Sequence, residues 1–66
     1  MSLTAFIHET AVVDRGADIG AGTKIWHFTH VASGATLGMH VTLGQGVYVA
    51  PEVVLGDWVT ISNTVS

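Results

Sequence analysis

Residues 31–44, V-A-S-G-A-T-L-G-M-H-V-T-L-G, repeat a short pattern every six positions. Aliphatic residues stand at Val31, Leu37 and Leu43, and a small or β-branched residue follows the first two after four positions, at Ala35 and Val41. A short fixed period is typical of repeat architectures, in which each unit packs only on its neighbours. This stretch therefore predicts a solenoid.

The six-residue spacing continues without interruption over residues 7–66, as ten consecutive units. The first place of the units holds Ile7, Val13, Ile19, Ile25, Val31, Leu37, Leu43, Val49, Leu55 and Ile61. The fifth place holds Ala11, Ala17, Thr23, Thr29, Ala35, Val41, Val47, Val53, Val59 and Val65. Because residues two apart in a strand share a face, the fifth place of one unit and the first place of the next both point inward.

The third and fourth places of each unit then remain for a turn, so that one unit is a short strand followed by a corner. Three units, or 18 residues, close one triangular coil, and successive coils stack as parallel strands about 4.8 Å apart. The sequence therefore predicts an all-β fold, a single-stranded parallel β-helix of about three coils. Residues 1–66 are expected to form a single domain, with the repeat over residues 7–66.

The placement of glycine, proline and charge agrees with this geometry. All eight glycines stand at second or fourth places, and a fourth-place residue at a corner needs the positive φ that glycine adopts without steric cost. Pro51 stands at a third place, in a corner where no ladder hydrogen bond is lost. All seven charged residues avoid the two inward series, as burial in a dry core requires.

The unit begins with an aliphatic residue, continues with Gly, Ala, Asp or Glu, and has Ser, Thr, Ala or Val at its fifth place. This pattern resembles the hexapeptide repeat of the left-handed parallel β-helix acyltransferases. The segments I-H-x-T-A-x-V-D, I-G-A-G-T-x-I-W-H-F-x-H-V and L-G-Q-x-V-x-V are similar to the nucleotide-sugar N-acetyltransferases of bacterial surface polysaccharide (lipopolysaccharide) pathways. Those acting on UDP-linked 3-amino-3-deoxyglucuronate derivatives are the most similar. The resemblance implies a left-handed coil, a homotrimer, and an acyl-CoA donor bound in clefts between neighbouring helices.

The sequence also departs from this family in three respects. Gly46 stands where such enzymes usually carry Asn after L-G-Q, and Thr64 stands where a second Asn is common. The enzymes are more than twice as long as these 66 residues. We therefore expect either a fragment of a longer enzyme or a minimal member that has lost activity.

Stacking of residues 18 apart is expected to gather one set of side chains on a single edge of the prism. This set is Trp26, His27, Phe28, His30, Gln45, Tyr48 and Asn63. Acetyl transfer to an amine needs a neutral amine, a polarised carbonyl and a proton acceptor. The predicted function is an acetyl-CoA-dependent N-acetyltransferase of an amino-sugar nucleotide, with acetyl-CoA as co-substrate. His27 is the candidate catalytic residue, and the candidate substrate-binding residues are Trp26, His30, Gln45, Tyr48 and Asn63.

Two other interpretations remain open. The same aromatic edge suits plain packing between subunits, which makes a non-catalytic trimeric scaffold the alternative function. A zinc site like that of the trimeric β-helix carbonic anhydrases is the lesser alternative, because His27 and His30 lack a third histidine on this edge except His8. We therefore expect no metal, and we expect His8 at the surface and His40 packed at a corner beside Trp58.

The composition limits the remaining classes. With five acidic and two basic residues, a net charge of −3 and no basic run, the chain lacks the charge pattern of a nucleic-acid-binding protein. No apolar run is long enough to span a membrane, and the N-terminus does not read as a signal peptide, so a cytoplasmic protein is expected. A chain this small buries a limited core, which favours an oligomer. We also expect further sequence or a second copy, stacked end to end, to cover the open C-terminal coil.

Overall fold

The computed structural model describes residues 5–62, in which it contains ten two-residue strands and no helix. The strands are β1 Phe6–Ile7, β2 Val12–Val13, β3 Asp18–Ile19, β4 Lys24–Ile25, β5 His30–Val31, β6 Thr36–Leu37, β7 Thr42–Leu43, β8 Tyr48–Val49, β9 Val54–Leu55 and β10 Thr60–Ile61. Each strand is made by the sixth place of one unit and the first place of the next. No helix in this part of the chain is long and apolar enough to cross a membrane.

The strands form three parallel sheets, ordered β1-β4-β7-β10, β2-β5-β8 and β3-β6-β9. Every pairing joins residues 18 apart, as in the ladder from Ile7 through Ile25 and Leu43 to Ile61. This register confirms the predicted parallel β-helix of about three coils, and the architecture is consistent with the left-handed form.

Nine corners connect the strands, and they fall into three columns. The first corner comprises residues 8–11, 26–29 and 44–47, the second residues 14–17, 32–35 and 50–53, and the third residues 20–23, 38–41 and 56–59. At several corners the fifth-place N–H donates to the second-place carbonyl, as from Ala35 to Ala32 at 3.2 Å, which closes a four-residue β-turn.

Eight of the nine described corners have positive φ at their fourth place, as predicted, and Thr10 is the exception. Gly16, Gly22, Gly34 and Gly46 all have φ between 72° and 96°. The same conformation also occurs at four residues with side chains: Phe28, His40, Glu52 and Trp58, with φ between 57° and 66°. A turn of type II needs φ above zero at its third residue, and at these eight corners glycine and non-glycine residues alike adopt it.

The core is a column of inward side chains along the axis of the prism. Among the first-place residues, those from Ile25 to Val49 are buried, whereas Ile7 in the first coil is 44% exposed. The prediction that all ten first-place residues are buried is therefore wrong for the ends of the described stack. A side chain in a terminal coil has a neighbouring coil on one side only, and half of its packing surface stays open.

Two inward positions are polar, and both are satisfied within the core. Thr23 and Thr29 are fully buried, and their hydroxyls donate to the carbonyls of Gly38 at 3.0 Å and Gly44 at 2.7 Å. A buried hydroxyl with a partner avoids the desolvation penalty of an unpaired one. Threonine therefore substitutes for valine here without an orphaned polar group.

Candidate functional site

The first corner carries three consecutive rings, Trp26, His27 and Phe28, which we call the ring ledge. They occupy the second, third and fourth places of one unit, between the inward residues Ile25 and Thr29. Because the chain turns at these places, none of the three side chains can enter the core. All three are exposed to solvent.

Rings of the preceding coil support the ledge from its N-terminal side. The Phe6 ring centroid lies 5.2 Å from that of Trp26, and the His8 centroid lies 3.9 Å from that of His27. His8 was expected to be a plain surface residue. It is instead half-buried and packed against the predicted catalytic histidine.

A short hydrogen-bond chain fixes His8 beneath the ledge. The Thr10 N–H donates to His8 Nδ1 at 3.1 Å, and the Thr10 hydroxyl lies 2.9 Å from the same nitrogen. The Thr10 oxygen in turn accepts the N–H of Phe28 at 2.9 Å. Since His8 Nδ1 accepts, the neutral ring carries its proton on Nε2. The first two coils are thereby tied together at this corner.

The C-terminal side of the ledge has little cover. The next coil contributes G-Q-G at this corner, so Gln45 supplies the only side chain of its three turn residues 44–46. Phe28 remains 67% exposed. Asn63, the predicted member of this column one coil further on, lies outside the described residues.

A second group lies on the adjoining sheet of β2, β5 and β8. His30 and Tyr48 pair in register, and their ring centroids are 5.4 Å apart in an edge-on arrangement. Asp14 Oδ2 lies 2.9 Å from His30 Nε2, and the two side chains are 40% and 45% exposed. The carboxylate accepts and the imidazole Nε2–H donates, so the free nitrogen of a neutral His30 is Nδ1.

The structure thus divides the side chains that were predicted to share a single edge into two neighbouring groups. Trp26, His27 and Gln45 belong to the first corner, whereas His30 and Tyr48 belong to the sheet that follows it. Within residues 5–62 no ring of the ledge packs against a ring of the His30 group. Sequence reasoning missed Asp14 altogether, because it lies 16 residues from His30 and therefore outside the column of residues 18 apart.

The described residues of one chain hold no group of three or more His, Cys, Asp or Glu side chains that could bind a metal ion. His8 and His27 are adjacent through their rings, yet a zinc site needs at least three protein ligands about the ion. Residues 5–62 of one chain therefore do not supply the three ligands that a zinc site needs.

The third corner also carries rings, and they pack on each other. The Trp58 and His40 centroids are 4.2 Å apart with planes inclined by 17°, which confirms the expected corner packing of His40. Asp57 Oδ1 accepts the N–H of Met39 at 2.8 Å and fixes the turn beside this stack. The aromatic groups of this corner are therefore engaged in holding two coils together.

Comparison with known proteins places these features in context. The model of the bacterial transferase hexapeptide family (six repeats) matches residues 16–50. Proteins of Brucella anthropi and Brucella ovis are 41% identical to this chain over 63 residues, covering 77% of this chain and 23% of each relative. Both are named acyl-(acyl-carrier-protein)–UDP-N-acetylglucosamine O-acyltransferase. The chain spans about a quarter of the length of these relatives.

Proposed function

This chain belongs to the bacterial transferase hexapeptide family, and we propose that it transfers an acyl group from a thioester donor to a nucleotide sugar. The observation that supports this most directly is the pairing of Asp14 with His30 at 2.9 Å on an open sheet face. A histidine held by a carboxylate is the arrangement of a general base and the group that orients it.

In this proposal His30 is the proton acceptor and Asp14 is its positioning residue. The carboxylate holds the proton of His30 on Nε2 and leaves the lone pair of Nδ1 directed away from Asp14. It also stabilises the imidazolium that forms when Nδ1 takes up a proton. Histidine suits this role because its charge changes near neutral pH.

The reaction conserves atoms and charge without any further reactant. A lone pair of the sugar amine attacks the thioester carbonyl carbon, and a C–N bond forms as the C–S bond breaks. The amine proton passes to His30 Nδ1 and then to the departing sulfur, so a free thiol leaves. Backbone or side-chain donors near the carbonyl oxygen would stabilise its developing charge.

The other sequence candidates receive binding roles. His27 was the candidate catalytic residue, but its neighbours are the rings of His8, Trp26 and Phe28, whereas His30 has a carboxylate. We therefore assign His27, Trp26 and Gln45 to substrate contact at the first corner. Tyr48 forms the wall beside His30, and Asn63 stays a predicted substrate-binding residue.

Two combinations of acceptor atom and acyl donor are candidates. The resemblance of the I-W-H-F and L-G-Q segments favours an amine acceptor and acetyl-CoA, in a cytoplasmic homotrimer. The names of the Brucella relatives state an O-acyl transfer from acyl carrier protein to UDP-N-acetylglucosamine, which favours a hydroxyl acceptor as the second candidate. The proposed proton acceptor serves either, because both an amine and a hydroxyl lose a proton on acylation.

The test is acyl transfer by the purified 66-residue chain, followed by mass spectrometry of the sugar nucleotide. UDP-3-amino-3-deoxyglucuronate with acetyl-CoA is compared with UDP-N-acetylglucosamine with acyl carrier protein that carries a thioester-linked acyl chain. A new amide supports the first candidate, and a new ester supports the second. Absence of either product, with the β-helix intact by circular dichroism, contradicts the proposed function for this chain.

Substitutions then test the two roles. His30→Ala should lower kcat about 10²- to 10⁴-fold, the usual contribution of a general base. Asp14→Asn should lower kcat with little change in KM, whereas Asp14→Glu should restore part of the rate. His40→Ala, which changes a histidine at another corner, serves as the control. Full activity of His30→Ala would remove His30 from the mechanism.

A further inference from the structure

We propose that His8 is a pH-dependent clasp, which holds Thr10 and the turn at Phe28 while its imidazole is neutral and releases them when it is protonated. The proposal concerns the conformation of the first corner, and it is independent of the proposed acyltransferase activity. It rests on the contacts that meet at Thr10 and on the way in which this corner differs from the others.

Three fourth-place residues join their coil to the coil before through backbone atoms alone. The N–H groups of His40, Gly46 and Trp58 donate to third-place carbonyl oxygens of the preceding coil, at 2.8–2.9 Å. Phe28 has the same place in its corner, but its N–H donates to the Thr10 hydroxyl, at 2.9 Å. The turn at Phe28 therefore depends on a side chain, whereas the comparable turns depend on the backbone.

Thr10 is also unusual, because it is the one fourth-place residue of the described corners without positive φ. Its N–H donates to Nδ1 of His8, within the same turn, at 3.1 Å. Its hydroxyl lies 2.9 Å from the same nitrogen. His8 thereby positions both polar groups of Thr10, and the hydroxyl extends this effect to Phe28 in the next coil.

A proton on Nδ1 of His8 removes the acceptor on which this arrangement depends. The Thr10 hydroxyl can rotate and accept a hydrogen bond from the charged ring, but the Thr10 N–H is a donor only and would face the N–H of the imidazolium. A half-buried N–H that loses its acceptor disfavours the closed turn. The clasp should therefore open as the pH falls through the ordinary titration range of histidine, near pH about 6.5.

The groups around His8 do not offset a charge on its ring. The centroid of the His27 ring lies 3.9 Å from that of His8, and His27 also gains charge at acidic pH, so that two like charges would meet. The other titratable groups on neighbouring elements are Glu9, next in the chain, and Lys24 on β4. Within residues 5–62 neither of these two side chains forms an ion pair.

The pair of Asp14 and His30 joins the same two coils and responds to pH in the opposite direction. A charged His30 binds the carboxylate more strongly, until Asp14 is itself protonated at lower pH. The stability of the whole chain at acidic pH therefore combines two opposing effects. For this reason the clasp has to be measured locally, at the Phe28 amide.

The experiment is amide hydrogen exchange followed by NMR, with each rate corrected for the intrinsic pH dependence of exchange. Between pH about 7.5 and about 5, we expect the protection of the Phe28 amide to fall about tenfold or more. The amides of His40 and Gly46, which donate to backbone carbonyls of the coil before, are the internal controls. Their protection should change by less than about threefold.

His8→Asn is the matched variant, because Asn Oδ1 accepts the N–H of the residue two positions on and does not titrate. In this variant the Phe28 amide should be equally protected at both pH values. His8→Ala removes the acceptor and Thr10→Val removes the hydroxyl, so both should have low Phe28 protection throughout. His27→Phe retains a ring without its charge, and a smaller fall in protection should remain, since the Thr10 N–H still faces His8.

The parent chain alone can overturn the proposal. Phe28 protection that does not fall with pH, or that falls only as much as protection at Gly46 and His40, contradicts a local clasp. A folded His8→Asn variant that retains the fall seen in the parent would place the titrating group elsewhere. Loss of the whole effect in His27→Phe would mean that like charge alone is responsible, and the assigned role of the Thr10 N–H would be wrong.

Discussion

The first and third corners have the same backbone and use their rings in opposite ways. In the third corner Trp58 stacks on His40, and the His40 ring lies against Gly22 of the coil before it. In the first corner three rings stand side by side in one coil, Phe6 and His8 of the coil before pack on two of them, and Gly46 follows Phe28 in the column. Both corners place non-glycine residues at φ near 60°.

The difference depends on where glycine occurs relative to the rings. A glycine in the coil before a ring gives the ring a surface to pack on, as Gly22 does for His40. A glycine in the coil after a ring leaves the ring bare, as Gly46 does for Phe28. In an 18-residue register a glycine therefore either gives a ring of the next coil a packing surface or leaves a ring of the preceding coil uncovered.

The largest effect is expected at the second place of the third corner. A Cβ at Gly20 would overlap the backbone of Gly38, which cannot move without breaking the sheet ladders on either side. Gly20→Ala should therefore destabilise the fold by about 3 kcal/mol. Gly44→Ala at the same place of the first corner meets its nearest atom, the Ile61 oxygen, at 3.4 Å and should change stability by less than about 1 kcal/mol.

Urea unfolding of the two alanine variants followed by circular dichroism measures this contrast. Equal destabilisation by Gly20→Ala and Gly44→Ala would mean that close backbone approach does not distinguish the corners.

A smaller effect is expected at the fourth place, where Gly22 and Gly46 have nearly equal φ of 75° and 72°. Alanine costs about 1 kcal/mol at either position for its backbone conformation. Gly22→Ala also displaces the His40 ring, whereas no described atom lies within 4 Å of a Cβ at Gly46. Gly22→Ala should therefore cost about 1 kcal/mol more than Gly46→Ala.

The double-mutant cycle of Gly22→Ala with His40→Ala isolates that extra cost. In the His40→Ala background the two glycine positions should become equivalent. A difference that survives would place its cause in the backbone and not in the ring stack.

The smallest effect is expected when the strained rings themselves are replaced. Phe28→Gly relieves an unfavourable φ and removes a ring that is mostly exposed, so stability should be unchanged or rise by up to about 1 kcal/mol. Trp58→Gly gains the same relief but loses the stack on His40, so it should be the less stable variant of the two. Thermal unfolding of both variants against the parent chain measures the order, and the reverse order would contradict the contrast between the corners.

Much of the fold follows from the repeat. The period of six predicted the strands, the turns at third and fourth places, and the pairing of Ile25 with Leu43. It could not predict that Phe28 and Trp58 share the positive φ of glycines, because residue type alone argues against it. It also could not predict the exposure of Ile7, which depends on its place at the end of the described stack.

Less of the candidate site was predictable. The 18-residue register correctly predicted that Tyr48 lies beside His30 and that the ledge residues lie at one corner. It missed the pairing of Asp14 with His30 and the packing of His8 on His27, since both pairs lie off the 18-residue register. Side chains reach across the register by several ångströms, and their rotamers decide which neighbour they meet.

The sequence by itself determined the coil, its register and its inward face, because a strict period of six leaves one way to bury every first and fifth place. Only the tertiary structure decided which surface side chains touch. Those contacts depend on how Asp14, His8 and the ledge rings extend from a turn, and on which glycines one coil away give them room. The backbone repeats, but the surface that it carries does not.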